Sequence, residues 1–198
     1  VKVDACFLSN PYATELFIRY FKSELIDTHQ IRNVLEFYPS QNKVIAQLLS
    51  SHLQTASENI FIGNGAIEII QAVIHNFVRK KILVNIPTFS SYYEFVKPPV
   101  EVVFNHLLKE HDYKLNIETF IEKVRSEKPD TVVLINPNNP DGNYISWENM
   151  EYLMGELKEV ETVIIDKSFI HFAYEDGNYD LVSYSSLVEK HKNLVLVK

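Results

Sequence analysis

The stretch from Thr131 to Asn143, TVVLINPNNPDGN, constrains this chain more than any other. Thr131, Val132, Val133, Leu134 and Ile135 form a β-rich apolar run without alternation. That is the pattern of a strand covered on both faces, as in a parallel sheet. Asn136, Pro137, Asn138, Asn139, Pro140, Asp141 and Gly142 follow, all of them turn formers or helix breakers. The two prolines fix φ, stiffen the turn and aim the asparagine amides at one place. In an open parallel sheet that place lies beyond the carboxyl ends of the strands, where ligands bind. A tight surface turn is the plainer alternative.

The rest of the chain repeats the strand-and-helix pattern. Short apolar runs over 59–62, 81–86, 100–107, 162–165 and 193–198 predict further strands, six in all. Helices are predicted over 14–25, 41–53, 66–77, 117–126 and 147–160, the last capped by Ser146. Residues 4–12 read as an extended arm ending in a turn at Asn10-Pro11. Strands alternating with helices imply right-handed crossovers and an α/β fold: a three-layer sandwich with a mainly parallel sheet.

With 198 residues, 46% of them hydrophobic, the chain can build a sizeable core in one large domain. A net charge of −7 without runs of like charge gives no footing for nucleic acid or an anionic membrane surface. Cys6 is the only cysteine, so no disulfide framework exists and a reducing, cytoplasmic setting is expected. No apolar stretch is long enough to span a bilayer, the first residues lack signal-peptide character, and no metal site is expected.

Two more places carry chemistry. Gly63-Asn64-Gly65 sits between a predicted strand and a predicted helix, the geometry of an anion site. Helix-start N–H groups and the helix dipole face one pocket there, and glycine lets an anion approach closely. Asp166 ends a buried strand, where a carboxylate needs a cationic partner because desolvating it alone is costly. A simple strand-to-helix turn and a strand-end cap are the plainer alternatives.

Taken together, these residues resemble the fold-type I pyridoxal-phosphate enzymes of the aminotransferase class I/II superfamily. The family's Asn-Pro-x-x-Pro-x-Gly is matched by Asn136 to Gly142, with Asp141 where Thr is usual. The resemblance implies pyridoxal 5'-phosphate as cofactor. Asn139 would donate to its phenolic oxygen, and Asp166 would pair with the pyridinium nitrogen. The amides of Gly65, Ala66 and Ile67 would hold the phosphate. Phe89, two residues after Pro87, would stack on the ring, although Tyr92 and Tyr93 compete and Phe89 also suits a core. Tyr38 would reach the phosphate of a second subunit in a homodimer, or else serve as a core aromatic. Phe169 stands where a tyrosine often donates to the phenolic oxygen, so one hydrogen bond is absent. Lys167 is expected to point away from the site.

The resemblance divides the chain into an arm and small-domain segment over 1–40 and a cofactor-binding large domain over 41–198. Lys198 falls just before the family's Schiff-base lysine, so only the amino-terminal half of a family member is expected here. The first functional expectation is an aminotransferase acting on a small-molecule amino acid, of the histidinol-phosphate aminotransferase kind. The alternative is a decarboxylase of a phosphorylated amino acid, like threonine-phosphate decarboxylase, favoured by Phe169 and by Gly63-Asn64-Gly65. A third reading is a non-catalytic α/β domain that binds another phosphate ligand.

Overall fold

The computed structural model describes residues 10–38, 41–173 and 185–198. The chain divides into two compact units, Val1–Ile45 and Ala46–Lys198.

The first unit is helical where it is described. Helix α1 (Pro11–Tyr20) starts inside the segment expected to be an extended arm. The Asn10 Oδ1 accepts the N–H of Ala13 at 2.9 Å, and Pro11 occupies the first helical position, where its missing N–H costs nothing. Residues 4–9 of the expected arm lie outside the described residues. A π-helical turn, Phe21–Ile26, continues the helix, and α2 (Ile31–Glu36) follows. The division between units falls within α3 (Asn42–Leu53).

The second unit alternates helices and strands. In order these are α4 (Gly65–Phe77), β1 (Lys81–Ile86), α5 (Ser91–Glu94), β2 (Glu101–His106) and α6 (Ile117–Glu127). They continue with β3 (Thr131–Ile135), α7 (Trp147–Glu156), β4 (Thr162–Asp166), α8 (Ser185–Lys190) and β5 (Leu194–Val197). The strands form one sheet in the order β2-β1-β3-β4-β5, and every pair is parallel. The two runs without alternation, β3 and β4, are buried at every residue.

Side-chain parity sorts the core into two layers. Leu83, Val132, Leu134, Val163, Ile165 and Leu194 meet α6, α7 and α8 on one face. Ile82, Val84, Val133, Ile135, Ile164 and Val197 meet α4 and Tyr92 of α5 on the other. The result is the expected three-layer α/β sandwich. No helix among the described residues is long and apolar enough to cross a membrane.

Two expectations fail locally. The sixth strand, predicted over 59–62, does not form. A 3-10 turn (Ser57–Asn59) takes its first residue, with the Asn59 N–H bonded to the Ala56 carbonyl at 2.9 Å. Only three apolar residues then remain before Gly63, and they join no strand ladder among the described residues. The helix predicted over 147–160 stops at Glu156. There the Asn193 side chain donates to the carbonyls of Leu157 (3.0 Å) and Val160 (2.8 Å), capping the end from a distant turn.

At the amino end of the sheet, Asp130 organises the start of β1. Its carboxylate accepts the backbone N–H groups of Arg79 (2.8 Å), Lys80 (3.2 Å) and Lys81 (2.5 Å). Charge-assisted bonds of this kind each contribute more than a neutral one. Replacing Asp130 with Ala is expected to lower stability by about 3 kcal/mol in urea unfolding. A change below about 0.5 kcal/mol would mean that water replaces the carboxylate at no cost.

Candidate active site

The strand order reverses at β1. From there the chain steps outward to β2, then returns to β3 on the far side of β1. The β1–β2 connection runs through α5 on one face, whereas the connection after β3 runs through α7 on the other. Loops that leave adjacent strands toward opposite faces open a crevice at their carboxyl ends, the usual ligand site of a doubly wound sheet.

The Asn-Pro-rich turn closes the floor of that crevice. Asn138 Nδ2 donates to the carbonyl of Pro87 at 3.0 Å, and the Thr88 hydroxyl donates to Asn138 Oδ1 at 2.7 Å. Asn138 thus ties the loop after β3 to the loop after β1. Asn136 is buried and folds the turn back on itself. Its Nδ2 donates to the carbonyl of Ile145 at 2.9 Å, and the Ile145 N–H donates to its Oδ1 at 2.8 Å. Asp141 accepts the N–H of Asn143 at 2.7 Å and a bond from Asn138 Nδ2, so it serves the turn. Asn139 lies half-buried between these pinned residues.

Asp166 ends β4 beside this turn, its carbonyl accepting the Asn136 N–H at 2.7 Å. By alternation its side chain falls on the face of Ile164, the face that α4 and Tyr92 cover. The residue is 4% exposed, and among the described residues its carboxylate accepts three hydrogen bonds. The Ser168 N–H (2.8 Å) and hydroxyl (2.6 Å) reach Oδ1, and the Tyr92 hydroxyl reaches Oδ2 at 2.8 Å. Among the described residues no Lys, Arg or His pairs with it. Burial raises the Tyr92 pKa well above the ordinary phenol value, and the Asp166 charge and hydrogen bond raise it further. Tyr92 is therefore a donor at any working pH. Lys167 is also buried, which, with the Lys198 charge, pushes its amine down to about 8.

Helix α4 brings the glycine turn to the same end. It precedes β1 through a three-residue link, Val78 to Lys80, so it runs antiparallel to the strand. Its first residue thus lies at the carboxyl edge of the sheet, and it packs on the face toward which Asp166 points. Gly65 has φ +77°, and a Cβ built on it meets no atom within 4 Å. The Gly65 N–H is turned to the Gly63 carbonyl (3.2 Å), while the next helical N–H groups, of Ala66 and Ile67, lack intrahelical acceptors. Of the three amides expected to cradle a phosphate, two thus remain for one.

Ala66 and Phe89 pack against the same cluster as Tyr92. Phe169 is half-buried, with its ring 6.3 Å from that of Phe172. Tyr93 packs against the cluster of Tyr92 too, with its ring edge-on to that of Phe104 at 5.4 Å. Tyr38 belongs to the first unit, and its side chain is fully exposed.

Sequence reasoning missed the partners of Asp166. A signal existed for one of them: Asp-x-Ser is the spacing at which a side chain folds onto the backbone two residues on. Tyr92 lay three residues beyond Phe89, on a helical turn too short to read as a helix.

A sequence profile describing the aminotransferase class I and II proteins matches residues 7–198. The chain belongs to that family. Pyridoxal phosphate, the cofactor expected from the resemblance, goes with this membership of the aminotransferase class I and II family. An L-serine phosphate decarboxylase of Campylobacter jejuni is 58% identical over all 198 residues, which span 51% of that protein. A second L-serine phosphate decarboxylase, of Sulfurospirillum multivorans, is 47% identical over the whole chain, which spans 50% of it. The solved structure of a decarboxylase from Sulfurospirillum multivorans superposes with a TM-score of 0.88 at 46% identity, over 99% of this chain and 50% of that one. The chain therefore spans about half the length of these relatives.

These names overturn the first functional expectation. Within the family, this chain is more similar to the decarboxylases of a phosphorylated amino acid, at 58% and 47% identity, than to the histidinol-phosphate aminotransferases it also matches, at 25–31%. The physical reason the sequence misled is that one electron sink serves both reactions, so the residues expected to serve it, Asn139 and Asp166, would look the same in either.

Proposed function

We propose that the full-length protein is a pyridoxal-phosphate-dependent decarboxylase of L-serine phosphate. The observation that carries the reading is the 58% identity, without a gap in coverage of this chain, to a protein of that name. The residues present fit the cofactor. A buried carboxylate without a cationic partner among the described residues suits a pyridinium, and open space before the α4 amides suits a phosphate.

When bound, pyridoxal phosphate supplies an electron sink for the pair left at the α-carbon as carbon dioxide departs. Asp166 holds the proton on the ring nitrogen, which keeps that sink deep. The N–H groups of Ala66 and Ile67, aligned with the α4 dipole, hold the phosphate. Phe89 covers one ring face and excludes water from it. Asn139 donates to the phenolic oxygen, and Phe169 adds no second donor there. Tyr38 reaches a partner subunit's phosphate in a homodimer.

The test supplies L-serine phosphate to the full-length protein, with and without 2-oxoglutarate, and follows carbon dioxide together with the phosphorus resonance of the product. The expected result is carbon dioxide and a phosphorylated ethanolamine at equal rates in both arms. Keto-acid formation that requires 2-oxoglutarate, with no gas release, would sink the proposal. L-Serine without its phosphate is expected to react at least a hundredfold more slowly, because a site built for a charged group leaves its donors unpaired without it.

A further inference from the structure

We infer that Tyr92 is a positioning residue for Asp166, which it holds with one acceptor site of its carboxylate turned to the cofactor ring. The inference rests on the cofactor reading above and concerns a residue outside the set that the family resemblance assigns.

The accounting of lone pairs carries it. An ionised carboxylate offers about four acceptor sites, two on each oxygen. Ser168 fills both on Oδ1, through its N–H at 2.8 Å and its hydroxyl at 2.6 Å. Tyr92 fills one on Oδ2 at 2.8 Å. Among the described residues nothing else donates to the carboxylate, so one site remains, on Oδ2, for a pyridinium N–H. The carboxylate has two anchors of different kinds. Ser168 sits two residues away on the same loop and moves with it. Tyr92 comes from α5, 74 residues earlier, on the far wall of the crevice. Among the described residues, Tyr92 alone fixes Asp166 against the other side of the site.

Its own placement is rigid. Tyr92 is wholly buried in the cluster that joins α4, β1, β3 and β4, so the ring cannot swing away without opening that core. Phe89 lies three residues earlier in the same turn, and the Tyr92 N–H bonds to the Phe89 carbonyl at 3.4 Å. One short segment thus sets both a ring-covering side chain and the brace on the carboxylate that meets the ring's nitrogen. The phenol donates and does not neutralise, so the negative charge stays on Asp166, shared with one more hydrogen bond. Removing the phenol leaves the carboxylate one donor short and freer to rotate, and more of the shared proton moves from the ring nitrogen to Asp166.

The experiment compares the full-length protein with Tyr92→Phe. It measures the dissociation constant for pyridoxal phosphate, the nitrogen-15 shift of the bound ring, and kcat and KM for L-serine phosphate. Expected are about tenfold weaker cofactor binding, as for one hydrogen bond to a charged group, and a ring resonance moved toward that of unprotonated pyridine. The fall in kcat should come with KM within twofold. An unchanged resonance and dissociation constant would show that Tyr92 only packs, and the inference falls. If Tyr92→Phe does not fold, site-specific 3-fluorotyrosine at position 92 decides. It keeps the shape and strengthens the donor, so the resonance should move the opposite way, and a static resonance again overturns the idea. Failure of the unmodified protein to bind pyridoxal phosphate is a distinct result, which removes the cofactor reading and this inference with it.

Discussion

Replacing Asp166 with Asn is expected to slow carbon dioxide release from L-serine phosphate by about a thousandfold, the size of effect seen when a preorganised charge is removed from a reacting centre. The substitution conserves volume at a residue that is 4% exposed, so the fold has no cavity to absorb. An amide oxygen can still accept from Tyr92, whose hydroxyl lies 2.8 Å from Oδ2. What disappears is the negative charge. A neutral amide cannot hold a proton on the ring nitrogen, and an unprotonated ring accepts the electron pair far less well. The loss should appear in kcat with KM little changed, because the interaction matters most as charge develops. Cofactor affinity should fall more modestly, since the phosphate contacts remain. Turnover kept within tenfold would mean that the ring nitrogen lies elsewhere.

The sandwich was readable in the sequence because its buried strands carry their own signal. Thr131–Ile135 and Thr162–Asp166 are apolar without alternation, and both proved covered on two faces. The stretch over 59–62 carries a similar but shorter signal. It failed because a local turn consumed its first residue and strand pairing needs a partner that composition does not show. The need of Asp166 for a partner was legible, but the expected cation is not found among the described residues, where Ser168 and Tyr92 donate instead. Tyr92 was not legible, for a reason of distance: hydrogen-bond partners 74 residues apart meet only through topology. Phe89, Tyr92 and Tyr93 all read as candidates for one aromatic role, and in the structure Tyr92 differs from the other two in donating to Asp166. The choice between transamination and decarboxylation was illegible for a chemical reason. The two share an electron sink and differ in which bond to the α-carbon is aligned with it, and the residues singled out in the sequence are those expected to serve the sink. Phe169, lacking a hydroxyl that the family often supplies, pointed toward decarboxylation but could not outweigh the commoner outcome.

Gly65→Val is expected to weaken pyridoxal phosphate binding by about a hundredfold while costing the fold about 2 kcal/mol. Two separate effects combine at this residue. Its φ of +77° lies in the left-handed region, which a β-branched side chain adopts only under strain. Relieving that strain rotates the peptide and turns the neighbouring Ala66 N–H off its line. The new side chain also projects into the space where no atom lies within 4 Å, the space a phosphate needs. Gly63→Ala separates binding from stability. A Cβ there would come within 2.9 Å of Ile69 Cγ1, a clash inside the helix packing and not in the open space before α4. That variant should lose stability yet keep its cofactor affinity within a few-fold. The comparison is read by fluorescence titration with pyridoxal phosphate beside thermal unfolding of each variant. Equal affinities for Gly65→Val and the unmodified protein would place the phosphate away from the start of α4. Equal losses of affinity in both variants would reduce the effect of Gly65 to stability alone.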